Sequence, residues 1–99
     1  MKLPIPFDHA LTAAIHAPSP HNTQPWRFGV DHEQIDLWLD RERILTVADP
    51  DAAEARLSCG AALLNLTMTL RADGHLPDVR LLPVASEPDL LATIRIDSN

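Results

Sequence analysis

Between Asp49-Pro50 and Gly74 lies a stretch whose pattern fits a long helix. Asp followed by Pro pairs a capping carboxylate with the residue preferred at the first helical position. Gly74 supplies a C-terminal stop, and Pro77 follows just beyond. The spacing therefore predicts a helix that runs from the Asp49 cap to about Ala72 or Asp73. Its first two turns are polar, with Asp51, Glu54 and Arg56. From Cys59 onward it is apolar on nearly every side, through Cys59, Ala61, Ala62, Leu63, Leu64, Leu66, Met68 and Leu70. A helix of that kind needs cover all round. A chain of 99 residues with three or four strands cannot easily provide it. The expected architecture is α+β: a small antiparallel or mixed sheet packed around one long buried central helix, incomplete by itself.

The other elements fall on either side of that helix. Met1 to Phe7 is apolar, holds Pro4 and Pro6, and reads as an extended arm. Asp8 reads as the cap of a short helix from His9 to about Ala17, with Ala10, Leu11, Ala14 and Ile15 on one face. Trp26 to Asp31 alternates, Trp26, Phe28 and Val30 sharing one side. Ile35 to Asp40 alternates too, with Ile35, Leu37 and Leu39 inward. His32-Glu33-Gln34 joins these runs, which predicts a β-hairpin. Trp38 falls on the polar side of its strand and predicts that this second face is also covered. Asp40 to Arg43 reads as a solvated charged turn and Ile44 to Ala48 as a short apolar connection. Val79 to Leu82 reads as a short strand, Ser86 to Leu90 as a polar turn, and Leu91 to Asp97 as a strand with Ala92, Ile94 and Ile96 on one side.

Between the first helix and the first strand lies Ala17-Pro18-Ser19-Pro20-His21-Asn22-Thr23-Gln24-Pro25-Trp26-Arg27-Phe28. Each proline fixes its own φ and pushes the residue before it out of the α region. Ala17, Ser19 and Gln24 each precede a proline, so this backbone is stiff and non-helical. Hydroxyl and amide groups on a stiff loop meet a ligand with little ordering entropy left to lose. The segment reads as a ligand-contacting loop, clamped between a helix and a strand.

Composition narrows the partners. The formal net charge is −6, from 14 acidic and 8 basic residues, which argues against nucleic acid and anionic membrane surfaces. No run is apolar and long enough to span a bilayer. Cys59 is the single cysteine, which suits a reducing compartment and reads as a buried small hydrophobe. The N-terminus carries no basic segment before an apolar core, so no signal peptide is expected and the cytoplasm is the expected compartment. His9, His16 and His21 are joined by no cysteine or paired carboxylate, so no metal site is assigned. Asn65-Leu66-Thr67 spells a glycosylation sequon but lies mid-helix, and it is set aside.

The loop sequence resembles the A-P-S-x-x-N-x-Q-P-W signature of the flavin-dependent nitroreductase superfamily. Ser58-Cys59-Gly60-Ala61-Ala62-Leu63-Leu64-Asn65-Leu66 resembles that superfamily's central helix. With the later L-P-x-x-x-x-P-D-L-L-A-T-I-R run, the wording is most similar to the Acg-type subgroup, as the N-terminal portion of such a protein. The resemblance covers almost the whole chain and treats residues 1–99 as part of one FMN-binding domain. It implies an α+β fold built from two halves that meet at a long-helix interface, with the flavin at that junction. It implies Pro18, Ser19, Pro20, His21, Asn22 and Gln24 as cofactor-binding residues, with Gln24 and Trp26 anchoring the loop to the sheet. It names no catalytic acid or base. The partners implied are FMN, a reduced nicotinamide cofactor and a small aromatic or quinone-like acceptor, in a homodimer or beside a missing C-terminal half. Family members carry an arginine-rich segment near the N-terminus that grips the flavin phosphate, whereas here Lys2 is the one cation before Arg27. Arg27 is set down as a surface charge, with the flavin phosphate as its other reading. Three functions stay open: an FMN-dependent NAD(P)H oxidoreductase of nitroreductase type, a non-catalytic flavin-binding or flavin-sequestering protein, and an inactive fragment that acts only in a dimer.

Overall fold

The long helix, α2, runs from Ala53 to Ala72 in the computed structural model, which describes residues 5–16, 24–31, 34–43 and 52–96. Its buried residues are Ala55, Ser58, Cys59, Ala62, Leu66 and Leu70. That spacing traces a single stripe along a 3.6-residue helix. The predicted stop holds: Gly74 sits at φ 90. The N–H of Gly74 donates to the Arg71 carbonyl at 3.0 Å and that of His75 to the Leu70 carbonyl at 2.9 Å. This pair of bonds satisfies two carbonyls that a helix end leaves orphaned. The predicted start does not hold. Ala52 is the N-cap, left-handed at φ 57 and ψ 22, with no side-chain capping bond. A left-handed residue cannot belong to a right-handed hydrogen-bond ladder, so the helix cannot run through Ala52 to an earlier cap. Ala52 is also 3% exposed, so the helix enters from a buried residue. Asp49, Pro50 and the apolar connection Ile44 to Ala48 lie outside the described residues.

The first helix, α1, spans Ile5–Ala14, not His9 to Ala17. Its first residues replace the expected extended arm. Pro6 falls in the first turn, where helical N–H groups have no intrahelical partner, so proline is no obstacle there. Asp8 is therefore inside the helix, not its cap. At the other end the backbone closes with Ile15 N–H on the Leu11 carbonyl and His16 N–H on the Ala13 carbonyl. α1 packs along α2 through Ala10 and Ala14, both fully buried. The His9 Nδ1 lies 2.7 Å from the Asp73 carboxylate, joining α1 to the C-terminal end of α2.

The sheet has four strands in the order β1-β2-β4-β3, and every pairing is antiparallel. β1 is Trp26–Asp31, β2 is Gln34–Leu39, β3 is Pro77–Leu81 and β4 is Leu90–Ile96. The hairpin forms as predicted, Trp26 opposite Leu39 and Val30 opposite Ile35. Trp26, Ile35, Leu37, Leu39, Ala92, Ile94 and Ile96 are the sheet's buried share of the core beneath α2. The register slips between Leu37 and Trp38, where β2 crosses from Ala92 to Leu90 of β4. β3 begins two residues earlier than its apolar run suggested. It is an edge strand, and an edge tolerates Pro77 because no ladder bond is required of it. Arg41 locks the far corner. Its guanidinium donates two bonds to the Asp89 carboxylate at 2.7 and 2.8 Å.

One expectation about cover is corrected and one holds. Trp38 is half-buried, but the Arg27 guanidinium 5.2 Å from its ring centroid lies over it. Arg27 and Trp38 are direct cross-strand partners, so a cation on the same face does what a further layer was expected to do. The outer side of α2 follows the expectation that this chain cannot cover the helix all round. Leu57, Leu64 and Met68 are 76%, 57% and 59% exposed. The helix is buried on one side of this chain and open on the other.

Candidate functional site

The loop that carries the sequence signature joins α1 to β1. Pro18, Ser19, Pro20, His21 and Asn22 lie outside the described residues; Gln24 and both ends of the loop are described. Pro25 is fully buried. Its carbonyl accepts the Asp40 N–H at 2.8 Å and faces the Cys59 Sγ at 3.6 Å. Trp26 follows, 6% exposed, in register with Leu39. The Pro-Trp pair is thus the point where the loop is pinned to both sheet and helix, and Trp26 anchors as expected. Gln24 is half-buried and adopts φ 49. A left-handed conformation at a non-glycine residue costs about 1–3 kcal/mol and persists only where the surroundings impose it. The proline after Gln24 makes this conformation still less favourable.

The other end is held by a residue the sequence reading set aside. Asn65, half-buried on α2, donates from Nδ2 to the Ala13 carbonyl at 3.3 Å. That carbonyl belongs to the last turn of α1 and also accepts the His16 N–H at 3.3 Å, so the Asn65 amide takes its second lone pair. One signal could have revealed this role: Asn65 is the sole amide in the apolar run Cys59 to Leu70, next to a fully buried Leu66. A side-chain amide beside a buried stripe needs a partner. Ser58 of the same segment is satisfied within the helix, donating to the Glu54 carbonyl at 3.0 Å.

Cys59 is the buried small hydrophobe expected, with 0% exposure. Burial pushes its thiol up to about 11, while the nearby Arg56 pulls weakly in the opposite direction. A thiol so far from ionising is not a nucleophile at neutral pH. Ala62, also 0% exposed, suits close packing. Gly60 does not share that role, because a Cβ built there meets nothing within 4 Å. Gly60 instead borders an open apolar groove of about 230 Å³ between α2 and the sheet, walled by Leu37, Leu63, Leu81 and Leu91, with Arg56 at its rim. A second hollow of about 300 Å³ continues past Leu64 and Thr67 toward Arg71.

Several cations already have partners: Arg27 covers Trp38, Arg41 holds Asp89, and Arg43 and Arg80 lie 3.6 Å from Asp40 and Asp78. Arg27 is accordingly the surface charge expected. Among the described residues no group of three or more His, Cys, Asp or Glu could hold a metal ion, and no helix is long and apolar enough to cross a membrane.

No family model matches the chain. Over 85 residues it is 38% identical to a Mycobacterium tuberculosis protein named "Putative NAD(P)H nitroreductase acg". That match covers 86% of this chain and 26% of the relative. Another M. tuberculosis protein of the same description is 40% identical over 86 residues, covering 87% of this chain and 25% of its own length. The chain thus spans about a quarter of the curated relatives it matches. Among solved structures it superposes on a Desulfovibrio desulfuricans protein described as "a putative nitroreductase in complex with fmn", with a TM-score of 0.80 at 19% identity. The superposition covers 96% of this chain and 73% of that one. An antiparallel sheet beneath a long helix, a Pro-Trp junction pinned to both, and this degree of sequence similarity agree: the chain belongs to the nitroreductase superfamily.

Proposed function

We propose that this chain forms one side of an FMN site in an NAD(P)H-dependent oxidoreductase of nitroreductase type. The observation that carries the reading is the loop between α1 and β1, which bears the signature and whose two ends are both hydrogen-bonded to α2. The side chains on it suit the edge of an isoalloxazine ring. Ser19, Asn22 and Gln24 bring a hydroxyl and two amides, His21 a further polar group, and Pro18 and Pro20 apolar surface. Such sites pair an apolar wall with a few fixed polar groups. Bound FMN would supply electron transfer from reduced nicotinamide to a small aromatic or quinone-like acceptor. The protein's own part is to hold the ring, orient it and limit water; no acid or base of this chain is assigned a proton transfer. A reducing, cytoplasmic setting fits the single unpaired Cys59.

Titration of the purified chain with FMN, read by quenching of flavin fluorescence and by the visible absorbance of bound flavin, tests the reading. Binding with turnover of NADPH in the presence of a nitroaromatic or quinone supports it. Protein that stays colourless and leaves flavin fluorescence unchanged rules out a site within this chain alone.

A second reading is favoured by the open apolar side of α2, with Leu57, Leu64 and Met68 exposed. On that reading the chain binds flavin without turnover, or acts only once another copy or another half covers this face. Sedimentation separates the two, since a monomer that binds flavin and turns over would eliminate the second.

A further inference from the structure

Asn65 and Cys59 sit six residues apart on α2, about 9 Å along the axis at the helical rise per residue. The first donates to Ala13, where the chain is leaving α1. The second touches the carbonyl of Pro25, where the chain is about to enter β1. One rigid helix therefore meets the chain on both sides of the signature loop. Beyond the Pro25 anchor the Asp40 N–H holds the same carbonyl from the sheet. Just before it, Gln24 keeps its left-handed backbone. Strain of that kind survives only when its neighbours are held from several directions.

We infer that Asn65 is a positioning residue: its amide fixes where the loop leaves α1, and with Cys59 at the far end it sets the span across which the loop is held. The inference rests on the flavin reading above for its consequence, because a loop held at a set span keeps its polar groups in place before the ligand arrives. The amide is suited to the task because it keeps its donor at every pH where the fold exists. α1 and α2 also pack through Ala10 and Ala14, so loss of the amide bond leaves the helix pair in contact. Its effect is local to the loop.

Three substitutions and two readouts test this. Asn65→Leu keeps approximate shape without a donor, Asn65→Asp keeps polarity without a donor at neutral pH, and Thr67→Val is a control that removes an α2 hydroxyl bonded only to the Leu64 carbonyl. Amide hydrogen exchange over residues 15–24 is expected to speed up in both Asn65 variants and not in Thr67→Val, with exchange in α2 and β4 unchanged. FMN affinity is expected to fall by about tenfold or more in both Asn65 variants, a factor worth roughly 1.4 kcal/mol. Exchange over residues 15–24 that is unaltered in the Asn65 variants would overturn the inference. So would faster exchange spread evenly over the whole chain, which marks a merely structural residue. Wild-type protein that binds FMN no better than Asn65→Leu would also overturn it while leaving the flavin reading intact. Wild-type protein that binds no FMN defeats the flavin reading instead, and hydrogen exchange then still decides whether Asn65 sets the span.

Discussion

The two sides of α2 have almost the same chemistry and opposite fates. On one, Cys59, Ala62, Leu66 and Leu70 are fully buried. On the other, Leu57, Leu64 and Met68 are mostly exposed. The inner stripe meets α1 and a sheet wide enough to cover it. The outer stripe meets neither, because the chain has no further element among its described residues on that side. The apolar side chains that hold this domain together are thus indistinguishable by type from those that leave it open, and only their angular position separates them.

The largest effect should come from Leu66. Leu66→Ala opens a cavity in a fully buried position and should lower unfolding free energy by about 2–5 kcal/mol, whereas Leu64→Ala should stay within roughly 0.5 kcal/mol in the monomer. Denaturant melts of both variants check this, and equal losses would break the comparison. Thiol labelling sharpens it. At pH 8 Cys59 should react with a disulfide reagent only when the protein opens, because its thiol is raised to about 11. A cysteine introduced by Leu57→Cys should react at a rate close to that of a free thiol. Protection at position 57 that vanishes on dilution would mean that another copy covers the outer stripe. The substitution Leu64→Glu should then disperse such an assembly, seen as a lower sedimentation coefficient, without a large change in the melting midpoint of the monomer.

The smallest effect lies away from α2, at the corner closed by Arg41 and Asp89. The hydrogen bond from Arg41 holds the Asp89 carboxyl below its ordinary value of 3.8. The folded carboxyl thus gives up its proton more readily than the unfolded one. Its contribution to stability is present above the unfolded value and is lost as pH falls through the folded one. Asp89→Asn should remove a small contribution at pH 7 and flatten the acid limb of a stability–pH curve below about pH 4, where the two proteins converge. An identical acid limb in both proteins would show the pair to be energetically silent.

Much of this was legible from short-range chemistry. Alternation in Trp26 to Val30 and in Ile35 to Leu39 marked the hairpin because a strand has a period of two and one face must be buried. Gly74 marked the end of α2 because a left-handed residue is needed there. Cys59 could be read as buried from its apolar neighbours. The start of α2 was not legible, because nothing in the local sequence marks Ala52, a non-glycine core residue, as left-handed. The segment from Met1 to Phe7, which holds Pro6, was read as an extended arm, although a proline in a first turn breaks no helix. Asn65 hid behind a sequon, since its partner is a backbone carbonyl 52 positions away in sequence.

The amino-acid sequence alone determined the class of fold, the hairpin and the family, because these rest on residue types at short, repeating or contiguous spacing. Tertiary structure decided which side of α2 is covered, where that helix begins and which residue holds the entry to the loop. Each of those depends on contacts between segments far apart in the chain, and local propensity carries no information about what a side chain will meet across the core.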